Sequence, residues 1–86
     1  MPPGRPKVVE GLDVTEVDDG LVVFSEPSDT VHHLNHTAAV VLELCDGSRT
    51  TAEIAALLAR AFGLPEPPLR EAEVCVRSLF RQGLIA

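Results

Sequence analysis

The first third of the chain alternates apolar and polar residues, and β-branched residues flank an Asp19-Gly20 pair. An Asp-Gly pair between such runs is typical of a β-hairpin, because both central residues of a type I′ turn need positive φ. The pattern therefore predicts a first strand over about residues 13–18 and a second over about residues 21–25.

A third short strand is predicted over residues 30–34, after the turn-forming sequence Glu-Pro-Ser-Asp. Because successive side chains of a strand point to opposite faces of the sheet, His32 and Leu34 share one face. Val31 and His33 share the other. We expect Leu34 to face the core.

Beyond Asn35 the apolar residues take helical spacing, at positions i, i+3, i+4 and i+7 of three successive segments. Asn35 suits the N-cap of the first helix, and Thr50 with Glu53 forms a capping box for the second. The predicted buried stripes are Ala38, Val41, Leu42 and Cys45, then Ile54, Leu57, Leu58 and Ala61 beside Phe62, then Ala72, Cys75, Val76 and Leu79.

Glycines and prolines predict the helix boundaries. Gly47, Gly63 and Gly83 follow the three apolar stripes and are expected to end the helices. Pro67 or Pro68 is expected in the first turn of the third helix, where the missing N–H of proline has no cost.

These elements predict one α+β domain of winged-helix-like architecture, with three N-terminal antiparallel strands followed by three α-helices. Leu84 and Ile85 are expected to fold back onto the core. The length of 86 residues fits a single domain. Because three prolines and a glycine fall within residues 1–7, we expect residues 1–10 to form a flexible tail and residues 11–86 to form the domain.

Composition excludes several classes of partner. The net charge is −6, and nine of the thirteen acidic residues lie in the first fifty positions; the aromatic residues are three Phe, without Trp or Tyr. Nucleic-acid-binding domains usually have the opposite charge, and single-strand binders stack bases on aromatic rings, so we expect no nucleic-acid partner. No long apolar run or signal segment occurs, which predicts a cytoplasmic protein without a membrane partner.

Neither the cysteines nor the histidines indicate a reactive site. Cys45 and Cys75 form no C-x-x-C pair and fall in apolar stripes, so we expect two buried thiols. His32, His33 and His36 do not converge, because the first two point to opposite faces of a strand. Nucleophile-elbow, P-loop and dinucleotide motifs are absent, so we expect no enzyme activity, no metal and no cofactor.

The pattern predicts a binding groove instead. The third strand would lie at an edge of the sheet, and it has neither Lys nor Pro to block addition of another strand. The third helix would form the other side of the groove. Its outward face is apolar at one end and cationic at the other, and suits an extended peptide with an apolar anchor and an acidic residue: Val74, Arg77, Ser78 and Arg81.

Four segments together resemble the PqqD-like family, also called the RiPP recognition element, which serves ribosomally synthesised and modified peptides. The segments are residues 32–39 (HHLNHTAA), 43–47 (ELCDG), 50–54 (TTAEI) and 81–85 (RQGLI). The resemblance extends over about residues 14–86, and the combination is more specific than any one segment.

The resemblance implies a non-catalytic chaperone of PQQ-like or lasso-peptide-like biosynthesis. Such a domain binds the leader of a precursor peptide as a strand added to its third strand and packed against its third helix. It delivers the precursor to a radical SAM enzyme, a cyclodehydratase or a leader peptidase. The resemblance implies cap roles for Asn35 and Thr37, and peptide binding by Thr30, Val31, His32, His33, Leu34, Val74, Arg77, Ser78 and Arg81.

Two other functions stay open at this point. One is a DNA-binding winged helix that presents Arg70, Arg77 and Arg81, although the net charge and the acidic Asp18-Asp19 turn oppose it. The other is a small regulatory subunit of an enzyme that binds no leader. We expect a monomer or a weak homodimer, since open edge strands of two copies can pair.

Overall fold

The structure is a computed structural model that describes residues 4–86; the first three residues lie outside the described part. Three antiparallel strands are followed by three helices, which confirms the predicted α+β architecture. Among the described residues, no helix is long and apolar enough to cross a membrane. The elements are β1 (Leu12–Val17), β2 (Gly20–Ser25), β3 (Thr30–Asn35), α1 (His36–Leu44), α2 (Thr51–Phe62) and α3 (Leu69–Arg81).

The turn between β1 and β2 lies one residue earlier than predicted. Val17 pairs with Gly20, so Asp18 and Asp19 form the two-residue turn. Within residues 4–86, Asp29 is the one non-glycine residue with positive φ, so Asp18 and Asp19 both have negative φ. The predicted type I′ turn centred on Asp19-Gly20 is therefore wrong.

Gly20 is instead required where two strands come close together. Its φ is +150°, and a Cβ at this position would overlap the carbonyl oxygen of Leu34 in β3. Glycine therefore lets β2 begin directly beside the end of β3. The strand order β1-β2-β3 leaves β3 at an edge of the sheet.

The sheet has a covered inner face and an uncovered outer face. Leu21, Val23 and Leu34 point to the inner face and are at most 5% exposed, which confirms the predicted orientation of Leu34. They form one core with α1 and the other helices. The outer face carries Phe24 opposite Val31, and no helix of residues 4–86 packs against it.

The predicted starts of the first two helices are confirmed. Asn35 caps α1, because its Oδ1 accepts a hydrogen bond from the Ala38 N–H at 2.9 Å. At α2, the Thr50 N–H donates to the Glu53 carboxylate and the Glu53 N–H donates to the Thr50 hydroxyl. These hydrogen bonds hold the pKa of Glu53 below its ordinary value, and the bond from the Thr50 backbone N–H has the largest effect. Gly63 ends α2 in the left-handed conformation, as predicted.

The first helix ends before Gly47, because the residues that follow it pair with the N-terminal segment. The last helical residue is Leu44, and Cys45 is the C-cap. The Val8 N–H donates to the Cys45 carbonyl, and the Gly47 N–H donates to the carbonyl of Pro6. The prediction that Gly47 directly ends the helix is therefore wrong.

Residues 6–9 also bind the C-terminal end of the chain, which differs from the predicted flexible tail. Lys7 and Ala86 exchange two backbone hydrogen bonds, and the Val9 N–H donates to the Leu84 carbonyl. Proline lacks an N–H but keeps a carbonyl acceptor, so a Pro-rich segment can still be held by donors from its neighbours. The prediction for the first three residues lies outside the described part.

The buried face of α2 is rotated from the predicted one. Leu57 is half-buried and Ala61 is exposed, so their assignment to the buried stripe is wrong. Helices approach more closely when the residues between them are small, and α2 therefore turns alanines toward its neighbours. The buried residues of α2 are Ile54, Ala55, Leu58 and Ala59.

Candidate functional site

One edge of β3 is open. The strand pairs with β2 on one side, and within residues 4–86 no strand pairs with its other side. Its backbone N–H and C=O groups on that side are therefore available to an extended chain. Neither Lys nor Pro blocks this edge.

A groove separates the open edge of β3 from α3. No Cα of β3 lies within 8 Å of a Cα of α3, whereas α1 approaches both elements within that distance. The start of α1 therefore forms the floor between the two walls. We call this feature the β3–α3 groove.

A cleft of about 600 Å³ opens in this groove, and most of its surface is apolar. Pockets that bind small molecules have similar dimensions and composition. The end of β3 and the start of α1 contribute three residues, and one side of α3 contributes five: Asn35, Thr37, Ala38, Arg70, Glu71, Val74, Cys75 and Ser78.

The cleft includes some of the α3 residues that the sequence predicts for peptide binding. Val74 and Ser78 line it, and Val74 is 56% exposed. Arg77 and Arg81 lie at exposed positions of α3 but outside the lining of the cleft. Long arginine side chains at these positions can meet only the part of a ligand that extends beyond the cleft.

The inner-face residues of β3 are already engaged within the domain. Leu34 is 3% exposed and belongs to the core, so a ligand in the groove can reach only its backbone. His32 lies opposite Val23 and is half-buried. Its Nε2 is 3.0 Å from the Thr30 hydroxyl, within hydrogen-bond distance.

The outer-face residues of β3 point away from the cleft. Val31 is 66% exposed. His33 lies opposite Val22, and its Nε2 is 3.1 Å from Oδ1 of Asp19 in the β1–β2 turn. The two side chains therefore face a different surface from Val74, while their backbone belongs to the open edge.

Six of the eight residues that line the cleft escaped the sequence reasoning or received another role there: Asn35, Thr37, Ala38, Arg70, Glu71 and Cys75. Arg70 and Glu71 precede Val74 by one helical turn, so extending the predicted face toward the helix start would have found them. Thr37 was predicted to cap α1, but Asn35 provides the cap hydrogen bond and Thr37 lines the cleft.

Within the described part of the chain, the cationic residues of α3 are free for a ligand. Among residues 4–86, no carboxylate lies within ion-pair distance of an arginine of α3. Arginine donors that lack a partner inside the domain can bind carboxylates of a ligand. These arginines are Arg70, Arg77 and Arg81.

The two free cysteines differ in exposure. Cys45 is 2% exposed, as predicted, but Cys75 is half-buried because it lines the cleft. Burial raises the pKa of the Cys45 thiol from 9.0 to about 11, and the neighbouring Cys75 makes a smaller contribution in the same direction. Burial also raises the pKa of Cys75.

The raised thiol pKa predicts a loss of stability in alkaline solution. In the unfolded chain Cys45 ionises near pH 9.0, but in the folded chain it stays protonated up to about pH 11. Folding therefore opposes ionisation, and the free energy of unfolding falls as the pH rises through this interval, by at most about 1.4 kcal/mol per pH unit for one thiol. Urea unfolding at several pH values measures the slope.

Cys45→Ala is the matched variant for this measurement. It should reduce the slope between pH 9 and 11 and leave the contribution of Cys75, whose pKa burial also raises. It also lowers stability at neutral pH. The chain has no Tyr and one Lys, so few groups other than the two thiols ionise in this interval. An unchanged slope in Cys45→Ala would contradict the assignment to this thiol.

Among residues 4–86, no group of three or more His, Cys, Asp and Glu side chains is arranged to hold a metal ion. His36 lies apart from the β3 histidines and contacts Phe62, with ring centroids 5.8 Å apart in an edge-to-face arrangement.

An open edge strand beside a helix, with an apolar cleft between them, defines a class of domain that can take up an extended peptide as an added strand. The family model of coenzyme PQQ synthesis protein D (PqqD) matches residues 20–85. The chain therefore belongs to the PqqD family. None of the curated protein sequences compared with the chain matches it.

Solved structures share this fold. TbiB1 in complex with the TbiA(beta) leader peptide is 18% identical with a TM-score of 0.75, over 92% of this chain and 93% of that one. Lasso peptide synthetase B1 complexed with the leader peptide is 21% identical with a TM-score of 0.72, over 95% and 98%. The PqqD part of Methylobacterium extorquens PqqCD, a stand-alone RiPP recognition element, is 21% identical with a TM-score of 0.71, over 100% and 95%.

Proposed function

We propose that this domain binds the leader of a ribosomally synthesised precursor peptide by adding it as a strand to β3. The observation that carries the proposal is the open edge of β3, which faces α3 across a groove with an apolar cleft. Membership of the PqqD family supports it. Two structures of the same fold were determined with leader peptides, which supports it further.

In this proposal, the backbone of β3 provides affinity for the leader and the cleft provides specificity. Main-chain hydrogen bonds along β3 are available to any extended sequence, because they involve no side chain of the ligand. Every second side chain of the added strand would point toward the inner side of the sheet, where the cleft lies. An apolar residue of the leader would enter the cleft against Ala38 and Val74.

The arginines of α3 would select acidic residues near that anchor. Arg70 lies at the cleft and would meet a carboxylate next to the apolar residue. Arg77 and Arg81 would meet carboxylates outside the cleft. Because exposed ion pairs are worth ~1 kcal/mol or less each, salt should weaken the binding without abolishing it.

We further propose that the domain is a non-catalytic chaperone that passes the bound precursor to an enzyme. The enzyme would be a radical SAM enzyme, a cyclodehydratase or a leader peptidase. Membership of the PqqD family supports this assignment, since the family resemblance implies a non-catalytic binding domain.

The test is a titration of the ¹⁵N-labelled chain with a synthetic leader of the precursor encoded beside its gene, followed by amide chemical shifts. The proposal expects the largest shifts in β3 and in residues 70–78. It also expects new protection from hydrogen exchange at β3 amides, because they would gain acceptors. Shifts confined to other elements, or none at millimolar peptide, would overturn the proposal.

A further inference from the structure

The sheet holds the entire net charge of the protein. Six of the thirteen acidic residues lie between Leu12 and Asn35, while no Lys or Arg occurs from position 8 to position 48. Elsewhere in the chain seven acidic residues balance the seven Lys and Arg. The six acidic residues of the sheet and its turns are Asp13, Glu16, Asp18, Asp19, Glu26 and Asp29.

The outer face of this sheet has an apolar centre between acidic ends. Phe24 lies opposite Val31, and Val22 lies beside them on the same face. Val31 is 66% exposed, and Phe24 and Val22 are partly exposed. Among residues 4–86 the helix that packs on the sheet is α1, and it lies on the inner face.

Acidic side chains surround that centre on three sides. Asp13 pairs with Phe24 across the β1–β2 ladder, so it lies on the outer face. The β1–β2 turn at one end carries Asp18 and Asp19, and the β2–β3 turn at the other end carries Glu26 and Asp29. The remaining side is the open edge of β3.

The charge decides which kind of molecule fits this face. Five of the six carboxylates surround this face, since Glu16 pairs with the inner-face residue Leu21. A second copy of the chain would bring five further carboxylates against these five, and nucleic acids and anionic lipids would be repelled for the same reason. A protein surface with an apolar centre and Lys or Arg around it would be complementary in both respects.

We propose that the outer face of the sheet is the docking surface for the enzyme that acts on the bound peptide, and that this enzyme presents an apolar patch surrounded by basic residues. The inference rests on the proposed function. A leader added to β3 extends the sheet, so alternate leader side chains would lie beside Val31 and His33 on the outer face. The enzyme would then contact the domain and the peptide on one continuous surface.

Two pairs of variants separate this surface from the groove. Asp13→Lys reverses a charge on the outer face, and Glu66→Lys makes the same change in the α2–α3 loop. Val31→Thr removes exposed apolar surface from the outer face, and Val14→Thr does so on the opposite face of β1, where Val14 is 50% exposed. All four positions are exposed, so the fold should be retained, and amide spectra verify this.

The measurements are the affinity for the leader alone and the affinity for the purified modifying enzyme encoded beside this chain. Asp13→Lys and Val31→Thr should each weaken enzyme binding by about tenfold, a change of ~1.4 kcal/mol. Asp13→Lys should leave the leader affinity within about twofold, a change below ~0.4 kcal/mol, because Asp13 lies on β1, on the far side of the sheet from the added strand. Val31 would adjoin the leader, so Val31→Thr is judged by enzyme binding measured without leader. Glu66→Lys and Val14→Thr should leave both affinities unchanged.

The outcomes distinguish this inference from the proposed function. If the leader fails to bind but enzyme binding still depends on Asp13 and Val31, the proposed function is wrong and the docking surface stands. If enzyme binding is unaffected by Asp13→Lys and Val31→Thr, or is weakened equally by the controls, the inference is overturned. Concentration-dependent dimerisation through Val31 without enzyme would also overturn it.

Discussion

Gly20→Ala is expected to lower the free energy of unfolding by about 3 kcal/mol or more and to abolish peptide binding at β3. The φ of +150° is unfavourable for alanine, and its Cβ would overlap the Leu34 carbonyl oxygen. That oxygen belongs to the backbone, so relief of the overlap requires β2 and β3 to separate. Urea unfolding and leader titration measure the two effects.

Gly63→Ala is the matched control. Gly63 also has a positive φ, +65°, but a Cβ there would meet no heavy atom within 4 Å. In this variant the free energy of unfolding should fall only by the cost of placing alanine in the left-handed conformation, ~1–2 kcal/mol. It should bind the leader normally. Equal losses of stability in the two variants would show that the overlap with β3 contributes nothing.

Val74→Asp is expected to weaken leader binding by about tenfold or more, which corresponds to ~1.4 kcal/mol. The new carboxylate would face an apolar cleft and repel acidic residues of the leader. It would also lie one turn from Arg70, so it would pair with that guanidinium and withdraw it from the ligand. Val74 is 56% exposed, so the fold should be retained. Titration calorimetry with the synthetic leader measures the effect.

Leu69→Asp controls for the loss of an exposed apolar residue from α3. Leu69 is 47% exposed and begins the helix, outside the lining of the cleft. An acidic residue is favourable at a helix start, so stability should change little. If Leu69→Asp weakened binding as much as Val74→Asp, the general charge of α3 rather than the cleft would be responsible.

Local patterns in the sequence predicted the elements of this fold well. Period-two alternation placed three strands and the inward orientation of Leu34, and the caps at Asn35 and Thr50 placed two helix starts. These features depend on residues close together in the chain, so their physical causes can be read directly from neighbouring positions. The hairpin turn was the local exception, because Gly20 allows the close approach of β2 to β3 and does not lie within the two-residue turn.

Contacts between segments that are distant in the sequence could not be predicted from local patterns. Apolar spacing could not show that α2 turns Ala55 rather than Leu57 toward the core, because that choice depends on how closely other helices approach. Composition indicated a loose N-terminal segment, but the carbonyl of Pro6 accepts a hydrogen bond from Gly47, about forty residues further along the chain.

In the candidate site too, some features follow from local sequence and others depend on tertiary packing. The unblocked sequence of β3 and the outward face of α3 could be identified from residue types and spacing alone, because both properties repeat along single elements. The distance between these elements, the floor provided by α1, and the positions of Arg70 and Thr37 at the cleft depend on three-dimensional packing. Residue spacing determines which side chains share a face, whereas only the packing of elements determines what that face meets.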